Sequence, residues 1–62
     1  MQVYLLKVKH VSDEEFEDAG IFTSEARMEN GKKTYLKTRM KDGFEADEFR
    51  FMHSVFRLDK LQ

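Results

Sequence analysis

Asn30-Gly31 decides the architecture of this chain, because it lies in the middle of residues 24–40 and those residues can be read in two ways. Asn-Gly between two polar-apolar runs is the strongest short hairpin signal, since a type I′ turn needs positive φ at both central residues. As a hairpin, the segment belongs to an all-β meander with turns at Asn30-Gly31 and Asp42-Gly43. Over a longer window it is a helix with a small residue on its packed face. Pairing strands about Asn30-Gly31 sets Met28 against Lys33, Ala26 against Tyr35 and Glu25 against Leu36. The apolar side chains then gather on neither face, and little fixes the register.

The helix accounts for more of the residues. Ser24 is a good N-cap, and Glu25 sits in the first turn, where the helix dipole favours negative charge. Met28, Gly31 and Tyr35 form one helical stripe, flanked by Leu36 and Met40. Lys32, Lys33, Lys37 and Arg39 fall largely outside it. Gly31 costs about 1 kcal/mol against alanine, whereas each apolar side chain fully buried contributes about 1.5–3 kcal/mol. Burial therefore wins, and Gly31 lets the helix lie close to its neighbour. On this basis Gly31→Ala is neutral or stabilising in a helix and destabilising in a type I′ turn. Asp42-Gly43 ends the helix, with Gly43 as a left-handed C-terminal residue.

The flanks read as strands. Residues 3–9 are β-branched and aromatic, with both faces apolar in the first half, which suits a central strand. Residues 16–23 end in Ala19-Gly20-Ile21-Phe22-Thr23, a hairpin partner whose Gly20 marks a bulge or a close backbone approach. Phe49 and Phe51 predict a third strand over 46–53, with a second helix through Phe49, Met52 and Phe56 as the competitor. Residues 55–58 continue that strand or form a short fourth element, and the conformation of 53–62 stays open. The result is a single domain, residues 1–62, of α+β class. Its fold is ββαβ: a three-stranded antiparallel sheet in order 2-1-3 with one helix packed on one face.

Sixty-two residues with no cysteine can form no disulfide. A domain of that size buries only about 60% of its unfolded surface, so it leans on good packing or on a partner chain. Six phenylalanines and two tyrosines are a rich supply of apolar surface and favour a homodimer. Absence of cysteine fits a reducing compartment. Lys7, Lys9 and His10 interrupt the apolar start too early for a signal peptide, and no run approaches the ~20 residues of a membrane span. The expected location is the cytoplasm, with no membrane contact.

Charge is balanced overall but segregated. Asp13, Glu14, Glu15, Glu17 and Asp18 form an acidic block, and Asp42, Glu45, Asp47 and Glu48 another. Between them lies a basic segment whose Lys32, Lys33, Lys37, Arg39 and Lys41 are candidate contacts for a nucleic acid or an acidic partner. The neighbouring acids weaken the field that nucleic-acid binding needs. Tyr4, Phe49, Phe51 and Phe56 are the candidate apolar interface. Tyr4, Phe49 and Phe51 could also stack on single-stranded bases, though the Phe49/Phe51 pair is better placed as core.

No motif of comparable weight speaks to chemistry. His10 and His53 lie near opposite ends of neighbouring strands and need not meet. Adjacent carboxylates such as Asp47-Glu48 or Glu14-Glu15 point to opposite faces of a strand and match no calcium loop. The serines and threonines have no partnered base at a recognisable spacing. Three unclustered glycines make no phosphate loop. No catalytic, cofactor or metal residue is assigned, and the chain reads as non-enzymatic.

Val3-Tyr4-Leu5-Leu6, the junction Gly20-Ile21-Phe22-Thr23-Ser24-Glu25, and Gly43-Phe44-Glu45-Ala46-Asp47-Glu48-Phe49-Arg50-Phe51 resemble a set of small uncharacterised bacterial and phage proteins. Those carry a V-Y-L-L start, a G-V-Y-S-S-E junction, an alanine-rich helix and a G-F-x-I-D-E-Y-x-L strand. The resemblance implies a ββαβ fold and no known activity, so no functional residue carries over. A phage-type accessory factor that modulates a host protein fits the size of the chain and the resemblance. The expected function is binding through protein–protein interaction, with nucleic-acid binding through residues 32–41 as the alternative.

Overall fold

The computed structural model describes residues 1–58. Strand β1 (Gln2–His10) pairs antiparallel with β2 (Glu17–Phe22) on one side and with β3 (Phe49–Arg57) on the other, giving the order β2-β1-β3. Helix α1 (Glu25–Lys41) connects β2 to β3 and covers one face of the sheet. The fold is therefore ββαβ, with the most apolar strand at its centre, as the sequence predicts.

Residues 24–40 do not reverse at Asn30-Gly31. Ser24 is the N-cap, and its Oγ accepts the Arg27 backbone N–H at 3.1 Å. Met28 is completely buried, Gly31 faces the ring of Phe22, and Tyr35 packs edge-on against Phe49 and Phe51 at centroid distances of 5.6 and 5.9 Å. The stripe then continues to Arg39 rather than Met40. Arg39 lies over Tyr35, 5.1 Å from its centroid, and Met40 is turned out to 55% exposure. The expectations for these last two side chains are thus reversed, because residue 39 follows 35 by one helical turn.

Gly43, at φ +99°, ends the helix. Its N–H donates to the Met40 carbonyl at 3.1 Å and the Phe44 N–H to the Arg39 carbonyl at 3.2 Å, the paired bonds of a Schellman motif. The chain then makes one 3-10 turn, Ala46–Glu48, where the sequence predicts the start of a strand. Glu48 explains the difference: its Oε2 accepts the Glu45 N–H at 2.7 Å and closes the turn. Strand β3 starts later and runs on to Arg57, because nine-residue β1 supplies partners as far as Gln2. Residues 55–57 therefore continue the strand, and residues 59–62 lie outside the described part.

The core is small: Leu6, Val8, Met28 and Phe49 are its buried apolar residues. Leu6 and Val8 fix which way the sheet faces, since alternate residues of a strand point to opposite sides. Between Leu6 and Lys7 the register with β2 shifts from Gly20 to Asp18, so the bulge predicted at Gly20 lies beside it.

Candidate functional site

Directly paired residues of antiparallel strands share a face. Leu6 and Val8 lie under the helix, so Tyr4 and His10 of β1 share that side, along with Val55, His53, Phe51 and Phe49 of β3. The opposite side carries Val3, Leu5, Lys7 and Lys9, paired with Phe56, Ser54, Met52 and Arg50, and Ile21 of β2 beside Leu5. No other element among the described residues covers it. Ile21, Met52 and Phe56 are 69, 45 and 48% exposed. This open face has two halves. Val3, Leu5, Ile21, Met52 and Phe56 make an apolar half, and Lys7, Lys9 and Arg50 make a cationic one. Phe16 lies at the cationic end, where the Lys9 ammonium is 5.5 Å from its ring centroid.

Of the four aromatics that the sequence offers as an apolar interface, only Phe56 is on the open face. Phe49 is 8% exposed and packs edge-on against Phe44 and Tyr35, each at 5.6 Å. Phe51 packs on Tyr35, and Tyr4 lies on the helix side near His53, with ring centroids 6.3 Å apart. The physical reason is register: Phe49 and Phe51 pair with His10 and Val8, on the helix side, whereas Phe56 pairs with Val3. Ile21 and Met52, the missed members, follow from the same alternation once Leu6 is known to point inward.

The basic segment divides in two. Lys32 is held inward, its ammonium 3.0 Å from Glu29 Oε2 and 5.9 Å from the Phe51 ring centroid. Arg39 stacks on Tyr35 and stands 3.9 Å from Asp42 Oδ2. Tyr35 first, then Asp42 and Glu17, hold its guanidinium above the ordinary value. Lys33, Lys37 and Lys41 are exposed, recur every fourth residue, and form one stripe on the outer side of α1.

His10 anchors the far end of β1. Its Nδ1 is 2.7 Å from Ser12 Oγ and receives the Ser12 backbone N–H at 3.1 Å. A ring nitrogen that accepts an N–H carries no proton, so the neutral ring holds its proton on Nε2. That N–H donates to Glu48 Oε1 at 3.0 Å. The Glu45 N–H, and then His10, hold the Glu48 carboxyl below its ordinary value. Phe44 and Phe49 enclose the imidazole edge-on at 5.6 and 5.3 Å. A cleft of about 340 Å³ opens beside it, lined in part by Ser12, Asp13, Glu17, Tyr35 and Arg39.

The Ser12–His10–Glu48 chain has the order of a hydrolytic triad, but not its environment. The Ser12 N–H occupies the lone pair that would take the hydroxyl proton. Asp13 and Glu17 line the same cleft, where they oppose a developing oxyanion. The arrangement ties the end of β1 to the 3-10 turn before β3. His53 pairs with Leu6, so it stands about 14 Å along the sheet from His10 at ~3.4 Å per residue, and the two do not meet. Glu14 and Glu15 are exposed, and among the described residues no three His, Asp or Glu side chains converge as a metal site. No helix among them is long and apolar enough to cross a membrane.

Comparison with known proteins adds no relative: no family model matches the chain, and no curated protein or solved structure matches it significantly.

Proposed function

We propose that this chain is a small non-enzymatic binding protein that works as a homodimer and docks a partner protein on the open face of its sheet. One observation carries the reading. With its single helix on one side of the sheet, the domain leaves Ile21, Met52 and Phe56 uncovered on the other among the described residues, next to Leu5 and Val3. Exposed apolar patches rimmed by charge mark interaction surfaces. Lys7, Lys9 and Arg50 form such a rim and favour a partner with acidic groups beside an apolar strip. The cysteine-free composition fits a reducing compartment and supports the cytoplasm as the site of this activity. An accessory factor that modulates a larger protein, of a phage type, fits so small a chain and the resemblance.

A second reading rests on the Lys33, Lys37 and Lys41 stripe, which could follow a phosphate backbone. It has fewer free cations than the sequence offers, because Lys32 and Arg39 are engaged within the chain. Two variants separate the readings. Ile21→Asp is expected to abolish specific capture of a partner from cell extract, and a triple Lys33, Lys37 and Lys41→Gln variant to leave it intact. Identical capture by wild type and Ile21→Asp sinks the first reading. Oligonucleotide binding that falls steeply with salt and vanishes in the triple variant establishes the second.

A further inference from the structure

Strand β3 is an edge of the sheet, paired with β1 on one side only among the described residues. The Leu58 N–H donates to the Met1 carbonyl at 2.7 Å, and the Met1 amino group faces the Leu58 carbonyl at 3.5 Å. The Val11 N–H donates to Glu48 O at 2.8 Å in the same register. Even-numbered residues of β3 therefore turn their backbone groups toward β1. Phe49, Phe51, His53, Val55 and Arg57 turn theirs outward. The Phe49 carbonyl is already taken: the Arg50 guanidinium donates to it at 3.2 Å and to the Asp47 carbonyl at 2.8 Å. Among the described residues, Phe51, His53, Val55 and Arg57 remain as a row of open backbone donors and acceptors, and Ser54 is its midpoint.

Sheet edges of this kind are normally blunted by shortness, bulges, lysine or proline. Strand β2, the other edge, is six residues long, has a bulge, and begins with Glu17 and Asp18. Strand β3 is nine residues long, with an unbroken register to β1 and no lysine or proline. The helix lies chiefly over β1 and β2 and reaches the face of β3 through Tyr35 and Lys32, and no described strand pairs with the outer edge of β3.

We propose that two copies of this chain join β3 to β3 in antiparallel register, with the two-fold axis at Ser54. This rests on the dimeric part of the proposed function and specifies the seam. Phe51 then pairs with Arg57 of the second copy and His53 with its Val55, so every open backbone group in the row finds a partner. On the open face Met52 lies opposite Phe56 of the second copy, on both sides of the central Ser54 pair. Two half-exposed apolar side chains thus cover each other, and no like charges stand opposite. A two-fold at His53 is poorer. It sets Met52 against Ser54, stacks His53 on itself, and matches Arg57 to Phe49, whose carbonyl is occupied. The joined sheet has six strands, with both helices on one side and a continuous open face on the other.

The chain has no cysteine, so Ser54→Cys introduces a single thiol. In the proposed dimer the two thiols face each other across a non-hydrogen-bonded pair, with Cα atoms about 4.5 Å apart. Ser54→Cys is expected to form a disulfide dimer about tenfold or more faster than Thr38→Cys on the exposed side of the helix, because the paired thiols are held at high effective concentration. Wild type is expected to sediment as a dimer at sub-millimolar concentration, a Met52→Glu/Phe56→Glu variant as a monomer, and Met52→Lys/Phe56→Glu as a dimer again. Three outcomes overturn the proposal: a wild-type monomer, equal oxidation rates for the two cysteine variants, or the same sedimentation for both charge variants. Ile21→Asp lies across the sheet from the seam and is expected to leave the dimer intact. Failure of the seam and failure of the open-face reading are thereby distinguished.

Discussion

A methyl group on Gly31 meets the ring of Phe22. A Cβ built there lies 2.8 Å from Phe22 Cε1 and closer still to Cζ, and one built on Gly20 lies 3.0 Å from the same Cζ. The phenylalanine ring therefore lies between two glycines, one on the sheet and one on the helix. The sequence-based expectation for Gly31→Ala changes sign as a result. Overpacking costs about 1–3 kcal/mol, which outweighs the ~1 kcal/mol gained in helix propensity. Denaturant unfolding should show Gly31→Ala less stable than wild type by about 1 kcal/mol. In a Phe22→Leu background, where the far end of the ring is gone, the same substitution should be neutral or stabilising. Gly43 behaves differently, because nothing lies within 4 Å of its added Cβ and only its φ of +99° resists substitution. Gly43→Ala should cost about 1–2 kcal/mol, and Gly43→Asn less, since asparagine tolerates the left-handed region.

At the scale of elements, the joint before β3 carries the pH dependence. Glu48 accepts the Glu45 N–H and the His10 Nε2–H, and its carboxyl is held below the ordinary value. A carboxyl whose folded pKa is depressed binds its proton more readily when unfolded. Its contribution is complete above the ordinary carboxylate value and is lost as pH falls through the lower folded value. Thermal unfolding should therefore show wild type losing its advantage over Glu48→Gln as the pH drops below about 4. A constant difference between the two across acid pH would show that the carboxylate is not what closes the turn. The helix start is a separate element. Ser24→Ala removes the acceptor for the Arg27 N–H and should cost about 0.5–2 kcal/mol with no pH dependence in that range.

For the whole molecule, shape and burial point the same way. The Cα radius of gyration is 13.2 Å and the extents are 47 × 23 × 13 Å. A compact chain of this length has a radius of about 10–11 Å. Strands β1 and β3 are long, and the helix covers only part of one side of the sheet. Such a molecule has a small core under the helix and, among the described residues, one uncovered sheet face, and substitutions should divide accordingly. Leu6→Ala, at 1% exposure, should cost about 2–5 kcal/mol. Ile21→Asp, at 69% exposure, should alter chain stability by less than about 1 kcal/mol while it removes partner binding. If the protein is a dimer, its melting temperature should also rise with protein concentration.

Local chemistry carried in the residues located the helix and the first two strands, whereas the third strand starts and ends later than its residues suggest. Ser24, Gly43 and the Met28–Gly31–Tyr35 stripe are short-range signals, and they outweigh Asn30-Gly31 because burial is worth more than a turn preference. Strand order 2-1-3 was legible for the same reason: the most apolar run belongs at the centre. The direction each strand faces was not. Residues 3–6 are apolar on both sides, so only the burial of Leu6 and Val8 against Met28 decides that Leu5, Ile21, Met52 and Phe56 look outward. Likewise, the close approach of Gly31 to the Phe22 ring and the Arg50 contact that occupies the Phe49 carbonyl join groups from different elements or depend on a strand's place at the sheet edge. Contacts of that kind exist only once the sheet and helix have packed, which is why tertiary structure alone could fix the candidate surface.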